Sequence, residues 1–177
     1  TVTDSAGNTY TRLKEYCQSS GVEDDGVTVS VWFTKAASNL ALGGTLTITT
    51  SGDNSRMSAT FNEFTVGAGN TIQITANGSA TNATDTVTDW PSMTLSGLTN
   101  KEYLFVRAIA SEHRSNSWTA TANYTKFSNA IANGDGGATS VTADGEFRVL
   151  TGTGDSSDPT QNATPDPDSA NVYLALE

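Results

Sequence analysis

Apolar and polar residues alternate with a period of two along most of this chain, and no stretch carries the spacing of a long amphipathic helix. Val27-Thr28-Val29-Ser30-Val31-Trp32-Phe33 is the clearest case. Val27, Val29, Val31 and Phe33 share one face of the strand this predicts, and Thr28, Ser30 and Trp32 share the other. Thr45-Leu46-Thr47-Ile48-Thr49 alternates in the same way and is predicted to be its partner. Between them, residues 36–42 predict a turn of helix stopped by Gly43-Gly44. Met57, Ala59 and Phe61 alternate next, and Phe64 and Val66 follow on the opposite parity. That switch predicts a bulge or bend between Phe61 and Phe64.

The second half continues the pattern. Thr71-Ile72-Gln73-Ile74-Thr75 follows the turn cluster Gly67-Ala68-Gly69-Asn70, and the polar residues 77–89 predict an exposed loop. Met93-Thr94-Leu95 reads as a short strand, and the nearly continuous apolar run 103–110 as a central strand covered on both faces. Residues 118–124 alternate again, residues 133–137 form a Gly-rich loop, and residues 145–150 read as a strand. Val172, Leu174 and Leu176 lie on one face of the last strand. Residues 151–169, with Pro159, Pro165 and Pro167, predict a long surface loop. About ten strands at regular spacing predict an all-β fold, an antiparallel β-sandwich or jelly roll, as a single domain over residues 1–177.

Composition agrees with that reading. Thr is the commonest residue, and Ser, Asn and Gly are frequent, which favours strands joined by many turns. The 36% of hydrophobic residues suffices for a core because they are grouped in alternating runs. One cysteine, Cys17, rules out an internal disulfide framework, so stability must come from sheet packing; Cys17 itself is expected to be a partly buried free thiol.

The formal net charge of −10 narrows the partners. Nine scattered Lys and Arg residues do not make the basic patch that binds nucleic acid, and an anionic membrane surface is disfavoured for the same reason. No run approaches the ~20 apolar residues of a membrane-spanning helix.

Catalytic grammar is absent. His113, in Ser111-Glu112-His113-Arg114-Ser115, lacks the Gly-x-Ser-x-Gly turn of a nucleophilic serine and reads as a loop histidine. Glu63, Glu102, Glu112 and Glu146 are the carboxylates that glycoside hydrolysis could use, but Glu102 and Glu146 read as solvated strand ends. No cofactor is implied. If an ion binds, calcium is the one the acidic loops would take, with Asp24, Asp25, Asp135, Asp155 and Asp158 as oxygen ligands. Among the aromatics, Trp32 on a polar strand face and Trp90 beside Pro91 in a loop are the candidates for stacking on a sugar, whereas Trp118 is expected in the core. Four Asn-x-Ser/Thr sequons, beginning at Asn77, Asn82, Asn123 and Asn162, are about what this composition yields by chance and carry no weight.

The order of segments resembles a β-sandwich module of bacteriophage virion proteins and bacterial surface proteins. The likeness rests on Asp4-Ser5-Ala6-Gly7-Asn8-Thr9-Tyr10-Thr11, Val29-Ser30-Val31-Trp32-Phe33, Gly44-Thr45-Leu46-Thr47-Ile48-Thr49, Glu63-Phe64 with Val66-Gly67, and the strand over residues 170–176. It implies a non-enzymatic structural part of a virus particle, such as a capsid decoration, head fibre or tail-associated protein. It implies as partners other virion proteins or further copies of itself, and a location on the virion or an extracellular surface. Modules of this kind carry one or two more strands ahead of the Asp-Ser-Ala-Gly turn, which implies either that the N-terminal strands of the module are missing from residues 1–177 or that a sheet edge is left open here, suited to strand addition. Host attachment through a surface glycan, and a prokaryotic surface filament, are the alternative roles.

Overall fold

An alternating segment becomes strand where a neighbouring edge pairs with its backbone and its apolar face finds cover. The computed structural model describes residues 1–19, 26–35, 38–50, 56–65, 74–82, 90–112, 117–128, 130–132, 140–161 and 169–177. Fourteen strands and no helix occur among them. In chain order they are β1 (Val2–Asp4), β2 (Thr11–Ser19), β3 (Gly26–Phe33), β4 (Leu46–Ile48), β5 (Ile74–Asn82), β6 (Met93–Leu95), β7 (Lys101–Ser111), β8 (Trp118–Thr119), β9 (Thr125–Lys126), β10 (Ala130–Ala132), β11 (Val141–Gly152), β12 (Asp155–Ser157), β13 (Thr160–Gln161) and β14 (Ser169–Leu176).

The fold is all-β and every pairing is antiparallel. Its centre is a sheet in the order β10-β11-β7-β14-β5, with β9 also paired to β11. All eight residues of β14 are buried, because β7 and β5 flank it and both of its faces are covered. One face carries Ala170, Val172, Leu174 and Leu176 with Val106 and Ala110 of β7; Val27 and Val29 of the β2–β3 ribbon pack onto them. The opposite face carries Tyr173 and Ala175 with Tyr103 and Phe105, closed by Met93, Leu95 and Tyr124. Trp90, Ile109 and Trp118 extend that second cluster, so the expectation for Trp118 holds. Burying this much aliphatic and aromatic surface, at ~25 cal/mol per Å², is the main force holding the layers together.

The Asp4-to-Tyr10 motif is a structural clasp. The Asp4 carboxylate accepts bonds from the Ala6 amide (3.0 Å), the Asn8 amide (2.9 Å), Asn8 Nδ2 (2.9 Å) and the Tyr10 hydroxyl (3.0 Å). Gly7, at φ 80°, takes the left-handed position that this turn requires. Asn8 Nδ2 also donates to the Ser38 carbonyl, and the Ser38 amide donates back to Asn8 Oδ1. Ser5 is bound to Thr45 through its amide and its Oγ. The turn thereby pins the connection over residues 38–45 to the start of the chain.

Several expectations fail, each for a physical reason. Residues 45–49 do not pair with β3. They supply β4, which β1 takes in the register Val2↔Ile48, while β3 pairs its sequence neighbour β2. Lys14, Glu15 and Gln18 break the apolar alternation of β2 and hid that hairpin. No helix forms among the described part of residues 36–42; instead Gly44 closes a turn by donating to the Ala41 carbonyl. Residues 57–65 alternate in sequence but form no strand. Residues 77–82 belong to β5, because β14 offers them a complete partner edge, and residues 83–89 lie outside the described residues. The surface loop predicted for 151–169 is largely structured. β11 runs on to Gly152, β12 pairs β6, β13 pairs β8, and Ser157, Pro159 and Gln161 are buried. Residues 162–168 and 133–137 lie outside the described residues. Cys17 is an exposed free thiol, since its side chain points away from the core on β2.

Candidate docking cleft

Two features could carry function: a buried polar network on one face of the central sheet, and an open cleft on the other. The network is built from strand register. Glu146 of β11 lies directly across from Arg107 of β7, and Arg107 directly across from Tyr173 of β14. Arg107 donates to the Ser157 carbonyl (3.0 Å), Ser157 Oγ (3.3 Å), the Pro91 carbonyl (2.8 Å) and Asn171 Oδ1 (2.8 Å). Ser157 Oγ donates onward to Glu146 (2.7 Å), which also accepts from the Thr121 amide (2.8 Å) and hydroxyl (2.7 Å). One serine thus links the two opposite charges. Burial pushes the Arg107 guanidinium down to about 10, with the negative charge of Glu146 working the other way.

Beside it runs a tyrosine relay. Tyr124 donates to Asp155 (2.9 Å) and shares a hydrogen bond with Tyr173, while Arg148 pairs with Asp155 at 3.2 Å. Burial, and then the bond to Tyr173, raises the Tyr124 hydroxyl well above its ordinary value; burial does the same to Tyr173. Lys126 sits 4.1 Å over the Trp118 ring and donates to the Trp118 carbonyl. These groups are locked in place by one another, which is what a buried polar network needs in order not to destabilise its core.

Glu146 is therefore not a solvated strand end. It is 0% exposed, because β9 and the Thr121 turn cover the edge of β11 there. Gly145 just before it has no room for a side chain: a Cβ would lie 2.5 Å from the Arg107 carbonyl and 2.7 Å from the Phe127 ring. Trp90 is 2% exposed, packed edge-on against Trp118, so its ring is closed to any sugar; the polar residues beside it in sequence concealed this. Glu63 and Glu102 are exposed. Asp155 is committed to Arg148 and Tyr124, and Asp158 is exposed. Asp24, Asp25, Asp135 and His113 lie outside the described residues. Among the described residues no three His, Cys, Asp or Glu side chains converge on a point where an ion could sit.

The cleft has a volume of about 1060 Å³. Its walls are β3, the β1–β4 ribbon and residues 56–61, and Ala108, Ala110, Val141 and Ala143 lie beneath. Trp32 lines it, half-buried, with its indole N–H bonded to Ser30 Oγ (3.0 Å) and the Arg12 guanidinium 5.8 Å from the ring centroid. Tyr10, Glu15 and Cys17 line it too. Sequence reading missed Glu15 and Cys17 as cleft residues because β2 did not declare which residues it turns outward, and Tyr10 because it stands just ahead of that strand. Met57 and Phe61 also line the cleft and keep large apolar side chains exposed, Phe61 at 55%. No protein family, curated protein or solved structure matches this chain.

Proposed function

We propose that this chain is a non-enzymatic structural subunit of a virus particle, a β-sandwich that docks onto neighbouring subunits through the cleft beside β3. The observation that carries this reading is the cleft itself: exposed Met57 and Phe61 stand beside a strand edge with no strand partner among the described residues. Exposed apolar side chains and an unpaired edge together mark a surface built to be covered. The segment resemblance to phage virion and bacterial surface modules supports the setting. The commitment of Arg107 and Glu146 to internal bonds supports a structural use for the most deeply buried charges.

Cys17 provides the test, because it is exposed and lines the cleft. In the isolated chain it is expected to react quickly with a maleimide, and in purified particles it is expected to be protected. Equal labelling in both states, or absence of the chain from purified particles, would sink the reading.

A second reading, attachment to a surface glycan, is favoured by one observation: Trp32 presents a half-exposed indole in a cleft with Tyr10 and Arg12. Glycan-array binding that is lost in Trp32→Ala would support it. No binding by the unaltered chain would reject it.

A further inference from the structure

We infer that the cleft is an acceptor groove for one extended strand donated by a partner polypeptide, which inserts between β3 and residues 57–61 and completes the layer. This rests on the reading of the cleft as the docking surface, and adds the chemistry of what docks.

The walls carry the argument. Gly26, Val27, Thr28, Val29 and Ser30 all line the cleft. Successive residues of a strand point to opposite faces, so five in a row can line one cavity only if it meets the strand's edge. β3 pairs β2 on one side and no described strand on the other. The Gly26 amide donates to the Glu112 carboxylate (3.0 Å), which itself lines the cleft. In an antiparallel pair the backbone groups of alternate residues face the partner, so Thr28 and Ser30, which share the parity of Gly26, also turn theirs away from β2 and toward the cleft.

A second stretch of the lining is likewise unpaired among the described residues. Residues 57–61 all line the cleft, yet make no backbone hydrogen bond to any other described residue. Their alternation of Met57, Ala59 and Phe61 is that of a strand, and no described strand offers them a partner edge. Backbone donors and acceptors that find no partner among the described residues cost free energy once covered, unless the covering group pairs with them. A sugar or an apolar side chain cannot do so along a whole edge, whereas an extended peptide can.

The space fits. A strand in a packed layer occupies about 4.8 Å between neighbours, about 10 Å between layers and about 3.3 Å along the chain, or about 160 Å³ per residue. The cleft of about 1060 Å³ thus holds a strand of about six residues. Small apolar residues form the floor, so every second side chain of the donor is apolar and faces Ala108, Ala110 and Val141. The intervening side chains are polar and lie beside Thr28 and Ser30 on the outer face.

The test uses the folded chain and a labelled probe, the acetylated and amidated peptide Lys-Thr-Val-Thr-Val-Thr-Lys. It is expected to bind saturably and to slow hydrogen exchange at both Thr28 and Ser30 and at residues 57–61. Ser30→Pro removes one cleft-facing amide while sparing the β2 ladder, and is expected to weaken binding about five- to tenfold, the worth of about one hydrogen bond. Its melting curve checks that it still folds. N-methylated probes decide the geometry. A strand held on both sides uses the amides of both parities, so methylation at either parity is expected to abolish binding. Tolerance at one parity means addition to β3 alone and overturns the insertion. Absence of saturable binding, or binding indifferent to Ser30→Pro, overturns it as well. Cys17 protection in particles reads docking separately, so insertion can fail while docking through the cleft stands.

Discussion

The Asp4 carboxylate accepts four hydrogen bonds, and they hold its pKa below the ordinary value, the Asn8 side chain being the largest cause. A carboxyl whose folded pKa is depressed stabilises the fold above the unfolded value, about 3.9, and loses that contribution as pH falls through the folded one. Asp4→Asn is therefore expected to lower Tm at pH 7, with the gap to the unaltered chain closing below about pH 3.9. A gap that persists at pH 2 would assign the effect to something other than charge. Tyr124 and Tyr173 work at the other end of the scale. Their pKa values are raised, so their contribution is complete below the unfolded value of about 10 and is lost as pH climbs above it. In an absorbance titration both are expected to ionise only as the protein unfolds, and Tyr124→Phe should remove one late-titrating group. Arg107 and Glu146 set the largest single-residue cost. Arg107→Met or Glu146→Gln alone leaves a buried charge without its counterpart and should cost about 3–5 kcal/mol in urea unfolding. The double variant should cost clearly less than the sum of the two; strict additivity would show that Ser157 does not couple them.

At the scale of elements, burial on both faces decides what a substitution does. Leu174 of β14 is fully buried, whereas Val149 of β11 is 56% exposed. Leu174→Ala should cost about 2–5 kcal/mol and Val149→Ala less than about 0.5 kcal/mol, both read from denaturant midpoints. A large effect at Val149 would show that its side chain is covered in solution. The same distinction explains which elements were legible in the sequence. β3, β6, β7 and β14 were, because their alternation or continuous apolar run reflects the faces they bury. Partners were not legible, since Val27 and Val29 state which face is inward but not which edge is paired. β12 and β13 were hidden because Asp155, Ser156, Ser157 and Gln161 are polar residues whose cover comes from β6, β8 and the Arg107 network. Trp32 was located by its polar neighbours, while the rest of the cleft arises from segments distant in sequence and leaves no local signal.

For the whole molecule, the order of strands in space matters more than their order along the chain. β14 comes after every other strand in sequence, yet it sits between β7 and β5 and contributes to both large apolar clusters. Without it, β7 loses an eight-residue ladder from Ser169↔Ser111 to Leu176↔Leu104, and β5 loses its partner. β1, by contrast, adds only a three-residue ladder to β4 at the periphery. The two segments should therefore differ in kind when removed. A chain ending at residue 168 is expected to show no cooperative thermal transition, because neither face of the central sheet can close. A chain starting at residue 5 is expected to melt cooperatively at a lower Tm, since it loses β1 and the Asp4 carboxylate that holds the turn over residues 6–10 but keeps the central sheet. Calorimetry on both decides the matter. A cooperative transition in the chain lacking residues 169–177 would mean that β11 and β7 form a core by themselves. That outcome would move the organising centre of the fold from β14 to the long β7–β11 pair, whose ladder runs from Thr142↔Ser111 to Gly152↔Lys101.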